Sequence, residues 1–138
     1  AMKVRPVPVV VTAVALLTSL VGCSDAAERR EAATEAARAF HAAVAQRNGA
    51  RACAWLARET VAGLEKAVKL PCARAVLTQD VARLGKLREV RVAGDQAQVA
   101  FTGDTVFVGR YETGWKVVAA GCRPRNKGQS YECLIARG

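Results

Sequence analysis

The hydrophobic pattern of this chain changes its period once. Up to Leu84 apolar residues recur at three- and four-residue intervals, and after Gly85 they alternate. A period near 3.6 belongs to helices and a period of 2 to strands. The chain therefore builds helices first and a sheet second, which is an α+β order.

The helical half opens with one long segment, Asp25 to Arg47. Asp25 suits an N-cap, with Glu28 three residues on as in a capping box. Ala33, Ala37, Phe40 and Val44 form an apolar stripe made mostly of alanine, fit to pack close against a sheet with Phe40 as its one large knob. Asn48-Gly49 ends the helix, with Gly49 suited to the left-handed conformation. Ala50 to Ala57 is expected as a short helix. Another runs from Thr60, a candidate cap, to Ala67. Pro71 suits the first position of a helix to Leu77, and Asp80 to Leu84 adds a further turn.

The alternating half reads as an antiparallel meander. Its strands are Leu87–Val92, Gln96–Thr102, Thr105–Tyr111, Trp115–Cys122 and Tyr131–Ala136. Turns fall at Gly94-Asp95, Gly103-Asp104 and Glu112-Thr113-Gly114, where Gly114 suits a positive φ. Ala97, Val99 and Phe101 share one face of their strand, and Gln96, Gln98 and Thr102 share the other. The polar run Arg123 to Ser130 is a loop.

Ahead of the helices, Lys3 and Arg5 precede an apolar stretch, Val7 to Leu20, of 14 residues. That length suits an export signal and falls short of the roughly 20 residues that span a bilayer. The stretch ends in Leu20-Val21-Gly22-Cys23, which resembles a bacterial lipobox. The resemblance implies removal of residues 1–22, a diacylglycerol thioether on Cys23 within a lipidated N-terminus of residues 23–24, and a single domain over residues 25–138. An uncleaved anchor helix and an ordinary secretory signal are the alternatives. Two inserted acyl chains hold stably where one holds weakly, because each buried CH₂ contributes about 0.8 kcal/mol. The implied address is the extracytoplasmic face of the cell membrane.

Removing residues 1–22 from the 138 leaves 116, enough for one core. The formal charge of +9 becomes +7, since Lys3 and Arg5 leave. The basic residues scatter along the chain and carry no nucleic-acid-binding motif, so nucleic acid is not the expected partner. Arg29, Arg30 and Arg38 lie near the tether, where each basic residue gains on the order of 1 kcal/mol from an anionic leaflet. An ordinary solvated surface is the alternative, and for specific residues it is the preferred reading.

Four cysteines follow Cys23: Cys53, Cys72, Cys122 and Cys133. An even set in an exported protein reads as disulfides. Of the three connectivities, the local one, Cys53–Cys72 with Cys122–Cys133, joins neighbouring elements. No CxxC is present and His41 is the only histidine, so no metal site and no cofactor are expected.

A long helix, short helices and a curved meander carrying Gly114-Trp115-Lys116-Val117 resemble the nuclear-transport-factor-2-like (cystatin-like) fold. More narrowly, Gly103-Asp104-Thr105-Val106-Phe107, Gly114-Trp115-Lys116-Val117-Val118-Ala119-Ala120-Gly121-Cys122 and Tyr131-Glu132-Cys133 are similar to small actinobacterial lipoproteins of unknown function. That fold carries a strand between its early helices, and none is evident here. The resemblance implies a cone whose helix lies on the concave sheet face and whose interior can hold a pocket. Phe40, Trp55, Phe101, Tyr111 and Trp115 are the side chains expected there, with plain core packing as the alternative.

No catalytic residue is assigned. His41 sits beside the apolar stripe, where a lone histidine is ordinarily a surface or boundary residue. Asp80, Asp95 and Asp104 lie in cap or turn positions, where aspartate bonds its own backbone. The expected function is a non-catalytic, membrane-tethered domain that binds a protein partner or a small apolar ligand. A small hydrolase or isomerase on the same cone is the alternative from another class, and attachment of the basic surface to anionic wall polymer is a third reading.

Overall fold

A computed structural model of the chain describes residues 2–9, 21–128 and 130–138. Most of the apolar leader, residues 10–20, and the Cys23 side chain lie outside the described residues. The architecture is α+β: α1 (Val21–Ala45), α2 (Gly49–Trp55), α3 (Arg58–Val68) and α4 (Cys72–Ala75) precede a five-stranded antiparallel sheet. Its strands, β1 (Leu87–Ala93), β2 (Gln96–Phe101), β3 (Thr105–Tyr111), β4 (Gly114–Pro124) and β5 (Tyr131–Ile135), lie in sequence order. No helix among the described residues is long and apolar enough to cross a membrane.

The core lies between α1 and one face of the sheet. Ala33, Ala36, Ala37, Phe40 and Ala43 are buried at helical spacing on α1. Opposite them, the alternation of β2 to β4 buries Ala97, Val99, Phe101, Val106, Val108, Trp115 and Val117. Alanine has no side chain beyond Cβ, so the helix axis approaches the strands and Phe40 fills the one large gap. Register shifts along β1 and β3 mark bulges that bend those strands.

Several helix boundaries differ from the sequence reading. Helix α1 already runs through Asp25, so Asp25 is an interior residue there. The left-handed residue after α1 is Arg47, at φ +57°. Gly49 instead begins α2, behind an Asn48 cap whose side chain accepts from the Arg51 N–H. Glycine is needed at 49 for space: a Cβ there would stand 1.8 Å from the Ala73 carbonyl oxygen. Thr60 is no cap. It lies inside α3, fully buried, and donates its hydroxyl to the Val118 carbonyl at 2.8 Å. Pro71 is the N-cap of α4. Val76–Thr78 continues as a 3-10 turn, and residues 80–84 form no helix.

The Thr60 bond belongs to the closing of an open edge on β4. Strand β5 pairs only with the second half of β4, from Ala120 to Pro124. The first half is closed by the α2–α3 junction. Leu56 forms one parallel bridge to Val117, and the Ala57 N–H donates to the Val117 carbonyl at 2.8 Å. The Lys116 ammonium donates to the Ala54 carbonyl at 2.8 Å and lies 5.6 Å from the Trp55 ring centre. Covering an unpaired edge blocks edge-to-edge association.

Among the described residues the structure contains two disulfides. Cys53–Cys72 joins α2 to α4 across 19 residues, and Cys122–Cys133 joins directly opposed residues of β4 and β5 across 11. Both are the local pairings, and they fit an extracellular protein.

Candidate functional site

Two features of the fold carry polar chemistry. The first is a buried clasp. Asp104, in the β2–β3 turn, turns away from solvent with 2 % of its side chain exposed; His41 on α1 has 8 %. His41 Nε2 lies 2.9 Å from Asp104 Oδ2. The same carboxylate accepts the Gly121 N–H at 3.0 Å and the Cys122 N–H at 2.9 Å. The sequence reading of Asp104 as a self-bonding turn residue is therefore corrected. It bonds a helix and a distant strand, because the bulged β3–β4 pair leaves two amides of β4 facing it. His41 is likewise a buried partner, with its ring edge-on to Phe40.

Three donors hold the Asp104 carboxylate, two on Oδ2 and one on Oδ1. A general base needs reach to a substrate proton, and the atoms of Asp104 that would supply it already hold the backbone. Beside it lies a small cleft of about 380 Å³, lined by Asp80, Asp104, Arg123, Glu132 and Cys133 among others. Among the described residues no group of three His, Cys, Asp or Glu side chains is placed to hold a metal ion.

The second feature is a groove of about 700 Å³ on the sheet face away from α1. Strand alternation puts Gln98, Phe107, Tyr111 and Val118 on its floor, and the C-terminal residues Ala136 and Arg137 form a wall. Phe107 packs edge-on against Tyr131, whose hydroxyl accepts from Gln98 Nε2 at 3.0 Å. Arg91 reaches Glu89 at 2.8 Å. At one end of the groove Asp95 takes Arg110 at 2.7 Å and Arg29 of α1 at 3.8 Å. Arg29 also donates to the Gly94 carbonyl.

Tyr111 donates its hydroxyl to the Glu59 carboxylate of α3. Burial, then this bond, pushes the Tyr111 phenol up to about 12. The same bond is the main cause holding Glu59 below its ordinary value. A carboxylate that accepts a hydrogen bond is favoured in its charged form, and the donor in its neutral form.

The five aromatic residues expected around one pocket do not line a common one. Phe40, Phe101 and Trp115 are buried in the core between α1 and the sheet. Trp55 is half-buried under Lys116 at the β4 edge. Only Tyr111 lines the groove. The reason is the two-residue period: Phe101 and Trp115 point toward α1, and Tyr111 points away. The groove residues Gln98, Phe107 and Val118 alternate with core residues, which was the one sequence signal available for them.

The chain was compared with protein-family models, curated proteins and solved structures, and none of them matches it.

Proposed function

We propose that this chain is a lipid-anchored, extracytoplasmic binding module, a variant of the nuclear-transport-factor-2-like cone, that receives a partner or a small apolar ligand without transforming it. The observation that carries the binding reading is the groove of about 700 Å³, open on the sheet face away from α1 and lined by no helix residue. Its size is within the roughly 300–1,000 Å³ of small-molecule sites. The address comes from Leu20-Val21-Gly22-Cys23 and agrees with two disulfides. The fold assignment is supported by α1 lying on the sheet and by the parallel bridge that Leu56, between the early helices, makes to Val117. The hydrolase or isomerase reading has less support, because the buried acid–imidazole pair is committed to backbone amides.

Cell fractionation tests the reading. The wild-type chain should sediment with membranes, and Cys23→Ser should release it from them or leave it as unprocessed precursor. A Cys23→Ser chain that is processed normally and remains on the membrane contradicts the lipid anchor.

A further inference from the structure

Taking the lipid anchor as given, the geometry points to the groove's ligand: we propose that it holds the acyl chain of an acidic single-chain amphiphile drawn from the membrane that tethers the protein. Three observations converge. The floor combines apolar surface, Phe107 and Val118, with a channel large enough for a chain. Its wall carries exposed Arg137, which makes no close ion pair with any described residue and feels the Glu59 carboxylate only at longer range, so its guanidinium N–H groups are open to a headgroup. The other groove arginines, Arg91 and Arg110, already meet Glu89 and Asp95.

The third observation is orientation. Helix α1 is continuous from Val21, and Ser24–Ala32 stand clear of the core, with Arg29 alone half-buried. Arg29 follows Cys23 by six residues, about 9 Å along a helix axis. It clamps the helix to Gly94 and Asp95, the turn that forms one end of the groove. The β1–β2 end of the groove is thereby held at the tethered end of the molecule. An amphiphile can pass from the outer leaflet into the groove with little exposure of its chain to water, which removes much of the cost of hydrating each CH₂. The headgroup chemistry is a single anion, carboxylate or phosphate.

The test uses the full chain, extracted from membranes and reconstituted in phosphatidylcholine vesicles. Photoreactive long-chain fatty acid, lysophosphatidylglycerol and lysophosphatidylcholine are the probes, and mass spectrometry maps the labelled peptides. Both acidic probes should label peptides of β2 to β4, and the zwitterionic probe should label them about tenfold less. Val118→Trp, which fills the floor, should abolish labelling. Arg137→Glu, an exposed change that leaves the core intact, should lower acidic labelling about tenfold, the factor expected for one charged hydrogen bond. Intact disulfides by mass certify each variant. Equal labelling by all three probes, or labelling unchanged in both variants, overturns the proposal. So does loss of labelling to inorganic phosphate alone, which would mark a free-anion site. An unlabelled groove on a chain whose Cys23 carries lipid overturns the ligand and leaves the anchor standing; an unmodified Cys23 ends the anchor reading by itself.

Discussion

His41 and Asp104 meet at 2.9 Å across 63 residues of sequence, and their contact fastens the far end of α1 to the β2–β3 turn. Arg29 fastens the other end to the β1–β2 turn. The two fixings are 12 residues apart, about 18 Å along the helix. Between them the interface is mostly alanine, which gives close packing and little area per residue. Directional polar contacts at both ends therefore set the position of the helix on the sheet. Asp104→Ala should cost about 3 kcal/mol, because it strands a buried amide, a part-buried amide and a buried imidazole. His41→Ala leaves the carboxylate its two amides and should cost about 1.5 kcal/mol. Urea unfolding of both variants checks the order; equal losses would contradict a carboxylate-centred clasp.

Each disulfide closes a short loop. The chain-entropy relation gives about 3 kcal/mol for either one. Reduction should therefore lower the unfolding midpoint substantially. Cys53→Ser/Cys72→Ser and Cys122→Ser/Cys133→Ser should each lower it by a similar amount, measured by urea titration with and without reductant.

The Tyr111–Glu59 contact predicts a pH dependence at both extremes. The folded phenol titrates at about 12 and the unfolded one near 10. Its contribution to stability is present below the unfolded value and is lost as pH rises through that interval. Glu59 is held low, so its contribution is present above the unfolded carboxylate value and is lost as pH falls through the folded one. Tyr111 is 38 % exposed, and solvent screening keeps both effects small. Tyr111→Phe should flatten the alkaline limb of a stability–pH curve and move the Glu59 carboxyl resonance toward its ordinary titration.

Gly63 of α3 faces the C-terminal segment, and a Cβ there would lie 2.4 Å from the Gly138 nitrogen and 2.9 Å from the Ala136 oxygen. Alanine favours a helix interior over glycine by about 1 kcal/mol. Here backbone occupies the space, so Gly63→Ala should displace residues 136–138, one wall of the groove. Hydrogen exchange of those amides should rise while that of α1 stays unchanged.

Much of this architecture was legible in residue order. The change of period at Gly85 separates helices from strands, and Ala97, Val99 and Phe101 declare their buried face. The alanine stripe of α1 announced a close helix–sheet contact. The polar contacts were not legible. His41 and Asp104 are joined only by the fold, and Asp104 in Gly-Asp-Thr has the local signature of a turn. Thr60 reads as a cap because nothing local reveals the carbonyl of Val118. The groove was missed for a related reason: the aromatic residues drew attention to the core face, while the groove lies on the face where Gln98 and Arg91 suggest plain solvent.

The account rests on where the chain is held, and the intact mass of the membrane-extracted protein tests that most directly. It should correspond to residues 23–138 with acyl-glyceryl mass on Cys23 and four cysteines paired in two disulfides. A soluble chain that retains residues 1–22, with Cys23 and the other cysteines as free thiols, would contradict it.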